Sequence, residues 1–140
     1  MTSLLPIPPG ATTVYVSPAG NDSNNGLSVF EPLATIQRAV QTAVNGGTII
    51  LAGGTYTLSA PVNMLPNITL RGDKTAVITQ AAGANISCLI SCTNANNCRF
   101  YDLTLDGNSK NTSVTQPTIG ILIDNANDCC IENCIIQNCT

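Results

Sequence analysis

Hydrophobic and polar residues follow two different periods along this chain. From Pro32 to Val44, apolar residues recur at spacings of three and four, which predicts one amphipathic helix over about 32–45. Pro32 suits a first helical turn, and Asn45-Gly46-Gly47 suits a helix end. Elsewhere the period is two, in short β-prone runs separated by Gly, Asn, Asp or Pro. The runs are 13–16, 48–51, 55–58, 67–70, 76–79, 87–92, 98–105 and 119–123.

Near its C-terminal end the sequence repeats itself at an offset of 31 residues. Residues 94–108 align with residues 125–139, so that Phe100 falls on Ile131. Both copies shift their apolar phase by one residue at the same place, which Asp102 and Asn133 occupy. A shared phase shift predicts a bend between two strands of one coil.

Earlier runs join the same stack at offsets of 19 and 30 residues. The matched pairs are Ile49 with Ile68, Leu51 with Leu70, Ile68 with Cys98 and Leu70 with Phe100. Like residues on like positions, with turns of variable length, are typical of a β-solenoid. We therefore predict an all-β solenoid, a short right-handed parallel β-helix of about four coils with one N-terminal capping α-helix. Residues 1–12 are expected to form an extended arm, and 13–140 the β-helix with its cap.

The N-terminal half resembles a known superfamily. Residues 15–26 (YVSPAGNDSNNG), 32–43 (PLATIQRAVQTA) and 46–56 (GGTIILAGGTY) are similar to the entry segment of right-handed parallel β-helix proteins of the pectate-lyase-like superfamily. That superfamily includes polysaccharide lyases, polygalacturonases, alginate epimerases and bacteriophage tailspikes. The resemblance implies that the helix caps the first coil. It leaves the function open, because this fold supports enzymes and inert scaffolds alike.

Composition narrows the choice of function. Charged residues are 9% of the 140, with 5 Lys+Arg, 8 Asp+Glu and a net charge of −3. So few basic residues argue against nucleic acid or an anionic membrane as partner. The chain has no His, so it has neither a His-based triad nor a His-ligated zinc site. No cofactor is expected.

Five of the seven cysteines share the inward phase of the coils, namely Cys88, Cys92, Cys98, Cys129 and Cys134. There they are expected to act as small buried hydrophobic residues. Cys130 is predicted to face outward, and Cys139 to lie at a turn. A disulfide between Cys98 and Cys129 remains open, although the odd number of cysteines favours reduced thiols.

The carboxylates that could form an active site are Asp102, Asp106, Asp124, Asp128 and Glu132. Glycosidases need two such groups about 5–10 Å apart. The repeat instead stacks Asp102 on Asn133 and Asp106 on Gln137, each on an amide. The nearest basic residue in sequence, Arg99, aligns with Cys130. Resemblance to the lyases implies acidic calcium ligands and a basic residue acting on the sugar, but no such set can be matched. We predict no catalytic residue and no metal ligand, and we assign no carbohydrate-binding residue.

Three polar motifs have structural interpretations. Arg71-Gly72-Asp73 spells the integrin-binding tripeptide, but its position after a strand favours a corner. The segment 21–26 begins like a calcium loop, but Pro32 stands where Glu is required, so a turn is predicted. Asn94 and Asn125 recur at one corner, where stacked amides can bond along the solenoid.

The predicted function is that of a non-catalytic structural β-helix of a virus or phage particle, such as a spike, fibre or capsid-associated protein. Residues 1–16 lack a basic stretch before an apolar run, so we expect a virion protein made in the host cytoplasm, with an extracellular location as the alternative. Expected partners are further copies of the chain, with a trimer as one option, or a chain continuation over the last coil; polysaccharide is a further candidate. The alternative function is the N-terminal part of a polysaccharide lyase or glycoside hydrolase of the same superfamily.

Overall fold

The computed structural model describes residues 12–43, 46–109 and 118–139. The predicted arm over 1–12 lies outside the described residues, apart from Thr12. In chain order the elements are β1 (Thr13–Val16), α1 (Ile36–Thr42), β2 (Thr48–Leu51), β3 (Gly54–Leu58), β4 (Val62–Asn63), β5 (Thr69–Arg71), β6 (Ala76–Gln80), β7 (Cys88–Thr93), β8 (Arg99–Tyr101), β9 (Thr104–Asp106), β10 (Ile119–Asp124), β11 (Cys130–Glu132) and β12 (Ile135–Gln137).

The described strands form three parallel sheets. Sheet A has the order β1-β2-β5-β8-β11, sheet B the order β3-β6-β9-β12, and sheet C the order β4-β7-β10. Successive strands therefore pass from sheet A to B to C and back to A, one coil at a time. Three complete coils, β2–β4, β5–β7 and β8–β10, lie between β1 and the partial coil β11–β12. This confirms the predicted short parallel β-helix.

The strand register confirms most of the predicted stack and corrects one step. Ile131 pairs with Phe100, and Phe100 with Leu70, at the predicted offsets of 31 and 30. Ile49, however, pairs with Leu70 rather than with Ile68, an offset of 21 instead of 19. A slip of two residues keeps every side chain on its predicted face, because the side-chain period of a strand is two. The face pattern alone therefore cannot distinguish the two registers.

Asn and Asp residues form the corners of the coils. The bends at Asp102 and Asn133 have left-handed φ values of 56° and 54°, which confirms the bend predicted from the phase shift. Asn94 and Asn125 also have left-handed φ values, of 57° and 50°. The side-chain amide of Asn125 donates to the Asn94 side chain, as the predicted ladder requires. Asn and Asp tolerate this conformation because their short polar side chains bond locally.

The capping helix is shorter than predicted. It begins at Ile36 rather than at Pro32, and its last helical residue is Thr42, whereas Val44 and Asn45 lie outside the described residues. Thr35 is the N-cap, and its hydroxyl accepts from the Arg38 N–H at 3.3 Å. Pro32 was wrongly placed in the first turn because the chain stays extended there, where the next residue bridges to β1.

Inward side chains fill the coils as apolar ladders. Phe100 is fully buried, and Ile49 and Leu70 in the coils above it are equally so. The equivalent residue of the last coil, Ile131, is 41% exposed, because no described strand pairs with β11 on its far side. Among the described residues, no helix has the length and apolarity to cross a membrane.

Candidate functional site

The outer face of sheet A carries two rows of side chains that run through all five strands, and the row that begins at Tyr15 holds its two tyrosines. Strand pairing places Tyr15 beside Ile50, Ile50 beside Arg71, Arg71 beside Tyr101, and Tyr101 beside Glu132. We call these five residues the outer row. Their neighbours along each strand point inward, because side chains alternate between the two faces of a sheet. The β-helix thus brings together side chains from residues 15 to 132 of the sequence.

Two arginines flank the Tyr101 ring of the outer row. The guanidinium carbon of Arg71 lies 4.8 Å from the centre of this ring, a cation–π contact. Arg99 begins the same strand as Tyr101, and a hydrogen bond with the Tyr101 side chain raises the pKa of Arg99 above its usual range. Arg99 Nη2 also donates to Asn97 Oδ1 at 3.4 Å. Tyr101 therefore holds two positive charges close together on an exposed surface.

A groove of about 330 Å³ opens at the N-terminal end of the outer row. Its lining includes Tyr15, Val29, Pro32, Ile50, Arg71 and Asp73. Hydrogen bonds from the hydroxyl and the N–H of Thr75 to Asp73 Oδ1, at 2.6 and 2.9 Å, hold the pKa of Asp73 below its usual value. The groove thus combines apolar walls with one cation and one anion at its rim.

This arrangement suits binding of an acidic polymer. A guanidinium group presents parallel N–H donors that match a carboxylate, and it does so without titrating at ordinary pH. Aromatic rings add apolar contact area and lose little conformational entropy on binding, because their side chains have few rotatable bonds. Neighbouring coils repeat the row at about 4.8 Å, the spacing of adjacent strands. An extended chain of uronic acids has the matching combination of carboxylates and flat ring faces.

The candidate carboxylates of the sequence analysis do not assemble at one place. Asp102 lies at the bend between β8 and β9, and Glu132 ends β11 near the same corner. Asp124 ends β10, and Asp128 lies in the turn before β11, at the corner between sheets C and A. Within 12–43, 46–109 and 118–139, no three Cys, Asp or Glu side chains form a group that could hold a metal ion.

Asp106 is enclosed by amides, as the predicted stack on Gln137 requires. Gln137 Nε2 donates to Asp106 Oδ2 at 3.0 Å, and Asn138 Nδ2 lies 3.1 Å from both carboxylate oxygens. The N–H of Asn108 donates to Asp106 Oδ1 at 2.8 Å. The bonds from Gln137 and Asn138 join the third coil to the last, so the carboxylate has a structural role.

The five cysteines predicted to face inward lie in or against the core, whereas Cys130 pairs with the outward Arg99. Cys88, Cys92 and Cys98 are buried, and all seven are free thiols in this structure. Cys129 and Cys134 are only partly buried, although both pack against the core, because they belong to the last coil. A hydrogen bond with Cys98, together with burial, raises the pKa of Cys92. The thiol of Cys92 is therefore protonated and inert at ordinary pH.

The other sequence motifs serve the fold. Gly72 lies at the predicted corner, where its N–H donates to the Tyr101 carbonyl at 2.9 Å. The segment 21–26 forms turns, and Asp22 within it anchors the start of α1. Asp22 Oδ1 accepts from the N–H groups of Ala34 and Thr35 at 2.8 and 2.9 Å, and Oδ2 accepts from the Thr35 hydroxyl at 2.7 Å. Partial burial raises the pKa of Asp22, but these bonds outweigh it and lower the pKa below its usual value.

Sequence reasoning did not identify the outer row. The offset of 30 that correctly paired Leu70 with Phe100 also places Arg71 beside Tyr101. The pairing of Arg71 with Tyr101 could therefore have been predicted from the sequence, because the residues that follow two paired positions must themselves pair. The places of Ile50 and Tyr15 in the outer row could not be predicted in this way. The offset of 19 would have placed Ile50 beside Thr69 instead of Arg71.

Comparison with known proteins gives three informative likenesses. No family model matches the chain. A segment of 54 residues is 44% identical to the pectate lyase PEL9 of Emericella nidulans, and covers 39% of this chain and 13% of that protein. The A-module of the mannuronan C-5 epimerase AlgE6 of Azotobacter vinelandii superimposes on 75% of this chain and 34% of its own, with a TM-score of 0.56 and 21% identity. A rhamnogalacturonan lyase superimposes on 69% of this chain and 29% of its own, with a TM-score of 0.53 and 18% identity.

These likenesses and the parallel sheets identify the fold as a pectate-lyase-like parallel β-helix. The chain spans only 13% of the pectate lyase and about a third of each solved structure. All three relatives are named for chemistry on polysaccharides. The comparisons therefore favour the alternative hypothesis of a polysaccharide-acting relative, and they give no support to the predicted structural role in a virus or phage particle. The predicted oligomer and location stay predictions.

Proposed function

We propose that this chain forms part of a polysaccharide lyase or epimerase of the β-helix type, and that its outer row binds an acidic polysaccharide. The observation that carries the proposal is the contact of Arg71 with the ring of Tyr101, beside Arg99. The 44% identity with a pectate lyase over 54 residues supports a uronic acid polymer as the ligand.

Charge distribution supports the same ligand. The chain is acidic overall, with a net charge of −3, yet Arg71 and Arg99, two of its five basic residues, lie on the outer face of sheet A. Arg71 and Arg99 form a cationic patch around Tyr101, and Glu132 of the outer row borders this patch. A local cationic patch on an acidic protein favours one position for an anionic polymer along the solenoid. We assign no catalytic residue to this part of the protein.

The test is the affinity of the full chain for oligogalacturonate, measured by isothermal titration calorimetry. We expect Arg71→Gln to weaken binding at least tenfold, because it removes a charged bond to carboxylate and the cation over Tyr101. The matched control is Arg38→Gln, since Arg38 is exposed on α1 and does not belong to the outer row.

The outcomes separate clearly. Equal losses in Arg71→Gln and Arg38→Gln would indicate a general charge effect and contradict the outer-row site. An unchanged affinity in Arg71→Gln would do the same. Binding of an uncharged glucan as tightly as oligogalacturonate would contradict the acidic ligand.

A further inference from the structure

Three thiols meet inside the corner at which sheet C leads into sheet A. Cys92 is the last inward residue of β7, Cys98 immediately precedes β8, and Cys129 immediately precedes β11 one coil further on. Cys92 and Cys98 are completely buried, whereas Cys129 is only partly buried. We call these three residues the thiol cluster. It belongs to the interior of the β-helix and is separate from the outer row, so the proposed binding site does not account for it.

Cys98 and Cys129 lie one above the other in successive coils. The pairing of β8 with β11 places Arg99 beside Cys130, and the Cys130 N–H donates to the Cys98 carbonyl at 2.9 Å. The two cysteines directly precede this pair and are therefore aligned with each other. Aligned residues on neighbouring strands are about 4.8 Å apart, which lies within the range of about 4.4–6.8 Å between the Cα atoms of a disulfide.

The side chains of this aligned pair converge on one point. Cys98 Sγ lies 3.4 Å from the carbonyl oxygen of the buried Ala95, and Cys129 Sγ lies 3.6 Å from the same oxygen. A hydrogen bond also links the side chains of Cys98 and Cys129 directly. The main-chain spacing and the side-chain directions therefore both suit a covalent bond between the two sulfur atoms.

Cys92 prepares Cys98 for this reaction. A hydrogen bond from the Cys92 thiol lowers the pKa of Cys98 against the effect of burial, and the bond from Cys129 acts in the same direction. The pKa of Cys92 is itself raised, so Cys92 keeps its proton and remains a donor. The thiolate is the form of cysteine that attacks another sulfur atom, so Cys98 is the nucleophile of the cluster.

We propose that the thiol cluster is an oxidation site, at which a peroxide converts Cys98 and Cys129 into a disulfide that joins the third coil to the last. Cys129 is the partly buried member of the pair, so hydrogen peroxide reaches it first. The Cys129 sulfur takes one oxygen atom from the peroxide, which gives a sulfenic acid and one water. The Cys98 sulfur then attacks the Cys129 sulfur, and the sulfenic hydroxyl leaves with the proton of Cys98 as a second water. The two thiols lose two electrons, and the peroxide accepts them.

Cys134 shows what distinguishes the thiol cluster from another cysteine of the last coil. Cys134 is partly buried, as Cys129 is, but it lies at the corner between sheets A and B. Its sulfur lies 3.3 Å from the carbonyl oxygen of Glu132, and its position in the preceding coil is occupied by Leu103. Peroxide that reaches Cys134 therefore meets no thiol stacked beneath it, which makes Cys134 a matched control.

The test is oxidation of the folded 140-residue chain with hydrogen peroxide, followed by alkylation of the remaining thiols, tryptic digestion and mass spectrometry. Cleavage after Lys74, Arg99 and Lys110 places Cys98 in peptide 75–99 and Cys129 in peptide 111–140. We expect these two peptides to be joined, with at least tenfold more of the bond between Cys98 and Cys129 than of any other disulfide in the fragment spectra. Dithiothreitol should release both peptides. A predominant bond between Cys92 and Cys98 would stay within peptide 75–99 and would contradict the proposal.

Two pairs of variants sharpen the result. Cys129→Ala should abolish the joined peptides, whereas Cys134→Ala should form them as the unaltered chain does. Cys98→Ala should abolish them as well, whereas Cys88→Ala, which removes an equally buried thiol from the same peptide, should not. The fragment spectra of the unaltered chain decide the question even where a variant fails to fold.

Three results would overturn the proposal. The first is a joined pair of peptides that persists in Cys98→Ala or Cys129→Ala. The second is an unaltered chain in which peroxide leaves Cys98 and Cys129 unlinked. The third is a disulfide between two chains, which would appear as a doubled mass on a non-reducing gel.

Discussion

Single polar residues hold the irregular parts of this β-helix, and Asp22 is the clearest case. Its carboxylate accepts three hydrogen bonds from Ala34 and Thr35 and thereby positions the start of α1. We expect Asp22→Ala to lower the free energy of unfolding by about 1–2 kcal/mol, the value of a lost helix cap at a half-exposed position. Urea denaturation at neutral pH measures this loss.

A matched variant and a pH series complete that test. Asp124→Ala removes an exposed carboxylate at the end of β10 and should change stability by less than about 0.5 kcal/mol. The pKa of Asp22 is lowered in the folded state, so its contribution is complete above the unfolded value of about 3.9 and is lost as the pH falls through the folded value. A stability difference between Asp22→Ala and the unaltered chain that did not shrink as the pH fell through the folded pKa of Asp22 would contradict this role.

At the scale of elements, the bends decide how one strand leads into the next. Asp102 joins β8 to β9 with a φ of 56°, a conformation in which a β-branched side chain is strained. Asp102→Val should therefore lower the free energy of unfolding by about 1–2 kcal/mol. Asp102→Gly and Asp102→Asn should stay within about 0.5 kcal/mol of the unaltered chain, since both residues tolerate this bend. Thermal and urea unfolding of the three variants separates the two causes. Backbone strain would destabilise Asp102→Val alone, whereas loss of the carboxylate would destabilise all three variants equally.

The elements also show what the sequence could predict. The bend at Asp102 was predictable, because a one-residue phase shift reverses the side-chain faces and must be accommodated by the backbone. The offset between Ile49 and its partner Leu70 was not predictable, because a two-residue slip leaves every side chain on the same face of the sheet. The helix start was missed because Asp22, ten residues before Pro32, determines it through bonds that sequence periodicity does not register. In the outer row, the places of Tyr15 and Ile50 depend on that same two-residue offset, whereas the pairing of Arg71 with Tyr101 follows from the offset of 30 that the sequence predicts.

At the scale of the whole molecule, the β-helix is covered unequally at its two ends. The helix buries Ile36, Ala39 and Val40 over the first coil. At the other end, Ile131 and Ile136 occupy inward positions and are 41% and 47% exposed. Exposed apolar side chains beside unpaired strands favour association with another strand or surface.

We therefore expect the 140-residue chain to self-associate through its last coil, with a molar mass in light scattering that rises with concentration. Ile136→Lys places a charge on the exposed inward row and should shift the association to at least tenfold higher concentration, because a lysine buried in a new contact loses its hydration. Phe30→Lys is the control, since Phe30 is 90% exposed on a loop near the opposite end. Circular dichroism must show that both variants remain folded. If Phe30→Lys rather than Ile136→Lys prevented association, the apolar loop before α1 would be the contact surface and the last coil would not.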